Sequence, residues 1–163
     1  MSWTPNETLG RAVYSFSSTA YEVAENTIEN IKKYAEKYDV ITCNPPFGTK
    51  IVEKRSMVLR QYDLGFEWYI DETGVLKKTD TLLSQQETGI LFVEVCVKEC
   101  KPSGRIAIIL PNGYLGNRSI KYRTVREWIL RHTKLAAIVS LPRFTFKSSN
   151  QNFALRGAAL PDD

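Results

Sequence analysis

Apolar residues recur along this chain at spacings that distinguish helices from strands. Over residues 20–37 they return every three or four positions, and Thr19 with Glu22 can form a capping box at the start of this run. We therefore predict an amphipathic helix there. Residues 38–43 and 105–110 are short apolar runs of the kind that form buried strands in parallel sheets.

The second half of the chain continues this alternation. Residues 87–100 are compatible with either a strand or a helix, and we favour a helix because Pro102 and Gly104 end the segment just before a buried strand. Residues 120–132 predict another helix, and residues 135–141 another strand. Strands that alternate with helices form a largely parallel sheet, so the predicted fold class is α/β.

Two stretches interrupt the pattern. Residues 1–18 are polar and rich in Ser and Thr, which predicts an irregular arm. Residues 50–86 combine scattered charges and aromatic residues with an Asp71-Glu72-Thr73-Gly74 turn signal, so a hairpin, a flap over a site and a merely packed insertion are all compatible with them. No linker divides the chain, and residues 1–163 are interpreted as a single domain.

Composition narrows the class of protein. Apolar residues make up 43% of the 163 positions, which is enough to bury a core. There is no signal peptide and no apolar run of about 18 residues, so we expect a cytoplasmic protein that does not span a membrane. Three cysteines fit a reducing compartment, and Cys96 and Cys100 lack the two further ligands that a metal site requires, so no metal is expected.

Charge is distributed unevenly along the chain. Residues 1–100 carry a net charge of −4, whereas residues 101–163 carry +8 and can face the phosphates of a nucleic acid. Arg143 and Lys147 follow the last predicted strand and are the predicted DNA contacts, because a parallel sheet places them on the same side as the end of strand 38–43. Four more basic residues suit either a phosphate-facing surface or a solvated helix face: Arg118, Lys121, Arg123 and Arg126.

The segment Asn44-Pro45-Pro46-Phe47 carries the most specific chemistry. Its prolines stiffen a turn at the carboxyl end of a predicted strand, where open α/β sheets bind ligands. An exocyclic amine attacks a methyl sulfonium when acceptors withdraw its hydrogens, and the Asn44 side-chain oxygen and the Pro45 carbonyl suit that role. Phe47 can stack on the base. The structural alternative is a stiff loop with Phe47 in the core.

This segment resembles motif IV of S-adenosylmethionine-dependent amino-methyltransferases. Further segments resemble the modification subunits of type I restriction-modification systems, which are N6-adenine DNA methyltransferases: Gln85-Gln86-Glu87 through Phe92-Val93-Glu94, Leu110-Pro111-Asn112-Gly113, Val139-Ser140-Leu141-Pro142 and Phe146-Lys147. The resemblance covers residues 38–149 and implies a partial Rossmann-like fold. It also implies that Asn44, Pro45 and Pro46 bind the target adenine and that Phe47 stacks on this base after it is flipped out of the duplex.

The chain departs from that family in two places. The family holds S-adenosylmethionine with a glycine-rich turn after its first strand, yet only Gly10 precedes Gly48 here, so the cofactor site is expected to be incomplete. After residue 149 the family continues with an apolar strand, whereas residues 150–163 are an atypical tail. The chain is therefore interpreted as a truncated or partial member. A sheet that lacks strands at both ends exposes edges, which favours self-association or a partner chain.

The resemblance implies methyl transfer from S-adenosylmethionine to adenine N6 without a metal. The expected partners are DNA, specificity and restriction subunits, or a chain that supplies the missing half of the methyltransferase. Two alternatives remain open. The same motif marks enzymes that methylate guanine amines in ribosomal RNA, and a non-catalytic assembly module would retain the sheet without the cofactor site.

Overall fold

A computed structural model describes residues 13–17, 36, 38–45, 51–142, 145 and 153–159, the first and last of these ranges by their backbone alone. The helix predicted over residues 20–37 lies outside the described residues. So do four of the predicted site residues: Pro46, Phe47, Arg143 and Lys147.

The described residues contain nine strands: β1 (Val13–Ser17), β2 (Tyr38–Asn44), β3 (Val52–Glu53), β4 (Phe66–Ile70), β5 (Leu76–Leu82), β6 (Gln86–Glu87), β7 (Cys100–Leu110), β8 (Lys134–Ser140) and β9 (Phe153–Ala159). Five of them form the central sheet in the order β1-β2-β7-β9-β8. β1 and β7 are parallel to β2, whereas β9 is antiparallel to β7 and β8. β8 therefore runs in the same direction as β2, and the sheet is largely parallel, as predicted.

The predictions for the two ends of the chain were wrong, because both ends contribute a strand to the central sheet. Residues 13–17 were expected in an irregular arm but form β1, which pairs with β2 from Val13 opposite Val40 to Ser17 opposite Asn44. The atypical tail likewise contributes β9, which lies between β7 and β8. The sequences of these strands, VYSFS and FALRGAA, carry weak strand signals. Their conformation follows from pairing with neighbouring strands, which a local pattern does not contain.

The described residues also contain four α-helices and one 3₁₀ turn at Asp63–Gly65. The α-helices are α1 (Ser56–Leu59), α2 (Thr88–Glu99), α3 (Gly113–Gly116) and α4 (Ile120–His132). The second and fourth confirm the helices predicted over residues 87–100 and 120–132. α2 is buried on almost every side, because it packs against β2, β7 and α4. Among the described helices, none combines the length and the apolar character needed to cross a membrane.

β7 begins at Cys100, directly after α2, and passes through a bulge before its regular pairing with β2. Tyr38 pairs with Cys100, but Val40 pairs with Arg105. Gly104 lies in this bulge, where an added Cβ would be 2.8 Å from the carbonyl oxygen of Lys101 and 3.0 Å from that of Asp39. The glycine that ends the predicted helix is therefore also required by the close approach of two strands.

The insertion at residues 50–86 folds into small paired elements. β3 pairs with β6, and β4 pairs with β5 in an antiparallel hairpin, which confirms the hairpin alternative. The Asp71 carboxylate shapes the hairpin turn by accepting hydrogen bonds from the backbone N–H groups of Thr73 at 3.0 Å and Val75 at 2.9 Å. Gly74 has a φ of +82°, which a residue with a side chain rarely adopts.

The hairpin is attached to the rest of the molecule through α4. The Arg131 guanidinium donates to the carbonyl oxygen of Leu76 at 2.7 Å, and Arg123 donates to that of Gly74 at 3.4 Å. Trp68 is partly buried and packs against the core. These contacts favour a packed insertion over a flap that opens freely.

Candidate active site

Asn44 is the last residue of β2 and lies at the carboxyl edge of the sheet, between β1 and β7. Pairing on both sides fixes its backbone, since Ser17 lies opposite Asn44 and Ile108 lies opposite Cys43. The prediction that this motif begins at a strand's carboxyl end is confirmed. In open α/β sheets this edge is where ligands bind.

The side-chain oxygen of Asn44 is buried and has no hydrogen-bond partner among the described residues. Buried acceptors almost always have a donor, since leaving one unsatisfied costs roughly 1–3 kcal/mol. An oxygen in this state is suited to accept a hydrogen from an amino group of a ligand. Pro45 is also buried and follows Asn44 directly in the chain.

A buried carboxylate lies at the same edge. Glu87 accepts hydrogen bonds from the hydroxyl groups of Tyr122 at 3.0 Å and Tyr114 at 3.5 Å, and it forms an ion pair with Lys121. Tyr114 follows the end of β7 at Leu110 by four residues, so its Cα lies within about 14 Å of that strand end. Four side chains from three segments therefore converge near the carboxyl end of β7.

The two tyrosines act as hydrogen-bond donors in this network. Burial, followed by the nearby Glu87 carboxylate, raises the pKa of Tyr114 well above its ordinary value. Burial and the hydrogen bond to Glu87 raise the pKa of Tyr122 to about 12. Both hydroxyls therefore remain protonated at neutral pH. The sequence predicts Glu87 only as part of a family-like segment and does not predict this role. The available signal is an acidic residue directly before an apolar helix.

The basic cluster near the start of α4 is mostly engaged within the chain. Arg126 donates to the carbonyl oxygens of Tyr114 at 2.8 Å and Asn117 at 2.9 Å. Arg123 reaches the turn of the β4–β5 hairpin, and Lys121 is paired with the buried carboxylate. For these three residues the contacts favour a role in holding α3 and the hairpin against α4 over a phosphate-facing surface.

The other predicted basic residues follow β8. Because β8 runs in the same direction as β2, Pro142 lies near the edge of the sheet that carries Asn44. The Thr145 hydroxyl donates to the carbonyl oxygen of Pro142 at 2.7 Å, so the chain turns there. Arg143 and Lys147 lie outside the described residues, and their contact with DNA stays a prediction.

The three cysteines, Cys43, Cys96 and Cys100, are buried and form no disulfide. Burial, and then the neighbouring Cys96, raise the pKa of Cys43 well above its ordinary value and that of Cys100 to about 11. These two side chains therefore stay thiols at neutral pH, which makes them poor nucleophiles and poor metal ligands. Within the described ranges no group of three or more His, Cys, Asp or Glu side chains could hold a metal ion.

The described residues do not by themselves fit the cofactor that the resemblance implies. β1 ends beside Asn44, where a glycine-rich turn would follow a strand in such a site. The sequence continues from Ser17 with Ser18-Thr19-Ala20, and the next glycine is Gly48. Close approach of a backbone to a bound molecule depends on glycine, and the sequence from residue 18 to residue 47 contains none.

Comparison with known proteins identifies relatives of the chain. The family model for N-6 DNA methylase matches residues 17–154. The methylase subunit of the type I restriction enzyme EcoEI from Escherichia coli is 26% identical over 123 residues, which make up 75% of this chain but 21% of that subunit. The chain therefore spans only a small part of that relative's length.

Solved structures share the fold. A chain from a study of the assembly and conformational transition of the type I restriction-modification system aligns with 26% identity and a TM-score of 0.56, over 83% of this chain and 24% of that one. A protein from Listeria monocytogenes assigned to the class I S-adenosylmethionine-dependent methyltransferases aligns with 19% identity and a TM-score of 0.58, over 77% of this chain and 33% of that one. The fold is thus a partial Rossmann-like methyltransferase fold, and this chain belongs to the N-6 DNA methylase family.

Proposed function

We propose that this chain carries the amine-binding part of an N6-adenine DNA methyltransferase that works in a type I restriction-modification system. The observation that carries the proposal is the buried Asn44 oxygen, which lacks a partner in the described part of the chain and lies at the carboxyl end of β2. Family membership supports DNA as the substrate. If Asn44 were only a structural core residue, its side-chain oxygen would remain without a hydrogen-bond donor, which would destabilise the fold by roughly 1–3 kcal/mol.

In the proposed reaction the two hydrogens of the adenine amino group are accepted by the Asn44 side-chain oxygen and the Pro45 carbonyl. Both hydrogen bonds strengthen as positive charge develops on N6, because the amine lone pair leaves its conjugation with the ring. The two prolines, Pro45 and Pro46, keep the acceptors in place at little further cost in conformational entropy. No covalent intermediate and no metal are needed.

The target adenine must leave the duplex to reach this edge. Unstacking a base costs a few kcal/mol, and stacking on Phe47 returns roughly 1–3 kcal/mol of that cost. Arg143 and Lys147, which follow β8, would neutralise phosphates beside the flipped nucleotide. These roles are supported by the order and direction of the strands, since β2 and β8 end at the same edge of the sheet.

S-adenosylmethionine is the methyl donor that the family implies. Since the described residues do not form its glycine-rich turn, we propose that another part of the methyltransferase holds it, in a longer chain or in a partner. Specificity and restriction subunits are the further proposed partners, in a cytoplasmic complex. We also propose self-association through β1 and β8, the outer strands of the described sheet.

Methyl transfer from tritiated S-adenosylmethionine tests this function in the assembled type I complex. Three substrates separate the alternatives: genomic DNA from a strain without adenine methylation, the same DNA after methylation by the complex, and ribosomal RNA. We expect label only in the unmethylated DNA, at adenine N6. Label in ribosomal RNA would support guanine amino-methylation instead. No label in any substrate, from a complex that still assembles on this chain, would support the assembly module.

Calorimetric titration of the chain with S-adenosylmethionine tests where the cofactor is held. We expect weak or no binding, because the sequence that follows β1 contains no glycine before Gly48. Micromolar binding at one site per chain would show that this chain holds the cofactor by itself.

A further inference from the structure

The chain that leaves the motif at Asn44 is fixed again at Ile51. The carbonyl oxygen of Ile51 accepts a hydrogen bond from the backbone N–H of Thr88 at 3.0 Å. The next residue, Val52, pairs with Glu87 where β3 meets β6. In the sequence the motif therefore stands between two fixed points, the end of β2 before it and the contact with the start of α2 after it.

Both fixed points lie at the same edge of the sheet. α2 packs against β2 and β7, and β7 begins at the residue that follows α2, so the last turn of α2 lies at the amino end of β7. A helix of 12 residues is about 18 Å long, which brings the first turn of α2 back to the carboxyl edge. Glu87, which precedes this turn, thus lies at the edge where β2 ends with Asn44.

Hydrogen bonds, rather than close packing alone, hold the Glu87 side chain. Glu87, Lys121 and Tyr122 line a cavity of about 500 Å³, so the carboxylate borders open space on this side. Its oxygens accept from the hydroxyls of Tyr122 at 3.0 Å and Tyr114 at 3.5 Å, and Lys121 forms an ion pair with it. Tyr114 belongs to α3, and the other two donors belong to α4. The segment after the motif is therefore tied to two further helices through one carboxylate.

We propose that Glu87 is a positioning residue for the motif at Asn44. By holding β6 against β3, Glu87 sets the point at which the chain is fixed after the motif, and so where the Pro45 carbonyl and Phe47 lie relative to the target base. Misplacement of a reacting group by about 1 Å can slow a reaction roughly 10²-fold. This inference rests on the proposed function, because it assigns Glu87 a part in methyl transfer.

Three substitutions of lysine residues test the inference. Lys121→Met breaks the ion pair with Glu87 but leaves the carboxylate its two tyrosine donors. Lys121→Arg keeps the positive charge and is the conservative variant. Lys101→Met is the matched control, because Lys101 pairs with Asp39 at 3.0 Å at the amino ends of β7 and β2 and its side chain is 41% exposed, against 42% for Lys121.

Single-turnover methylation of DNA by the assembled type I complex measures the effect on the reaction. The complex is kept in saturating excess over DNA, so an unfolded fraction does not change the rate constant. We expect Lys121→Met to lower this rate constant about 10-fold, while affinity for DNA and S-adenosylmethionine stays within about twofold of the parent. Lys121→Arg and Lys101→Met should both keep the rate constant within about twofold of the parent.

Hydrogen exchange measures the fixed point itself and does not depend on methyl transfer. The amide hydrogen of Thr88 is protected by its bond to Ile51, so its exchange reports opening of this contact. In Lys121→Met, peptides that contain Val52 or Thr88 should exchange about fivefold faster than in the parent. In Lys101→Met the same peptides should exchange as they do in the parent.

The outcomes separate this inference from the proposed function. If the parent complex methylates adenine in DNA, a rate constant for Lys121→Met equal to that of Lys101→Met, or unchanged exchange at Thr88, would overturn the inference alone. A parent complex that methylates ribosomal RNA or no substrate would overturn the proposed function and the inference with it. If Lys121→Met does not assemble, Tyr122→Phe replaces it, removes one hydrogen bond to Glu87 and should slow the single turnover about threefold.

Discussion

Lys121, in the first turn of α4, forms an ion pair with Glu87, the residue that precedes α2. This pair joins the two longest helices of the described chain beside the carboxyl end of β7. Glu87 is 8% exposed, so the carboxylate depends on its three donors for the solvation that water would otherwise supply.

We expect Glu87→Ala to lower the free energy of unfolding by about 2–4 kcal/mol, because it leaves two tyrosine hydroxyls without their acceptor. Lys121→Met should cost about 1 kcal/mol, since its side chain is partly exposed and the tyrosines still bind the carboxylate. Lys77→Met, which breaks the exposed pair with Asp71, is the control and should destabilise the chain less than Lys121→Met does. Urea unfolding measures all three, and equal costs at Glu87 and Lys77 would contradict a buried network.

Gly65 gives a second stability prediction. An added Cβ at Gly65 would lie 2.2 Å from the carbonyl oxygen of Leu59, which is backbone and cannot move alone. Gly65→Ala should therefore lower the free energy of unfolding by about 2 kcal/mol or more. Gly116→Ala is the matched control, because nothing lies within 4 Å of its added Cβ. A thermal melt in which both variants match the parent would contradict the close packing of α1 against the following turn.

Glu99 should make the free energy of unfolding depend on pH. Burial raises its pKa to about 8, and one of its carboxylate oxygens has no partner in the described part of the chain. Between about pH 4.5 and 8 the folded chain keeps a proton that the unfolded chain has released. The contribution of Glu99 to stability is therefore complete below pH 4.5 and is lost as the pH rises to about 8.

Glu99→Gln should flatten this pH dependence. At pH 8 the variant should exceed the parent in free energy of unfolding by roughly 1–3 kcal/mol, whereas near pH 5 the two should be similar. Glu72→Gln, at an exposed position, should follow the parent at every pH. Urea unfolding from pH 5 to pH 9 measures the difference. Parallel curves for Glu99→Gln and the parent would show that Glu99 is not protonated in the folded chain.

Nucleic-acid binding should depend on the residues that follow β8. Because each neutralised phosphate releases counterions, affinity for DNA should fall steeply between roughly 50 and 200 mM salt. Changing Arg143 and Lys147 together to Glu should weaken binding about tenfold and reduce the salt dependence. Arg105, midway along β7, and Lys134, the first residue of β8, are exposed and do not lie at the carboxyl edge of the sheet. Changing both to Glu is therefore the control with the same change in charge. Equal losses in the two double variants, measured by fluorescence anisotropy, would show that net charge alone binds DNA.

The helices and strands that could be predicted are those in which apolar residues recur at a regular spacing within the element itself. The helix predicted over residues 120–132 has the same bounds in the structure, because its apolar stripe and flanking breaks are local properties. The strand before Asn44 was predictable for the same reason. β1 and β9 were not, since their conformation depends on pairing with distant strands. The Glu87 network was also missed: Glu87 and Tyr114 are 27 residues apart and meet only after β7 has placed α3.

The proposed function depends most on the Asn44 oxygen as the acceptor for the target amine. Its most direct test is the rate of methyl transfer by a complete methyltransferase that contains Asn44→Ala, with Asn117→Ala as an exposed asparagine control. We predict a loss of about 10²-fold or more in turnover, while affinity for S-adenosylmethionine and DNA stays within about twofold, because the lost interaction strengthens only in the transition state. Turnover within about threefold of the parent would contradict the role proposed for Asn44.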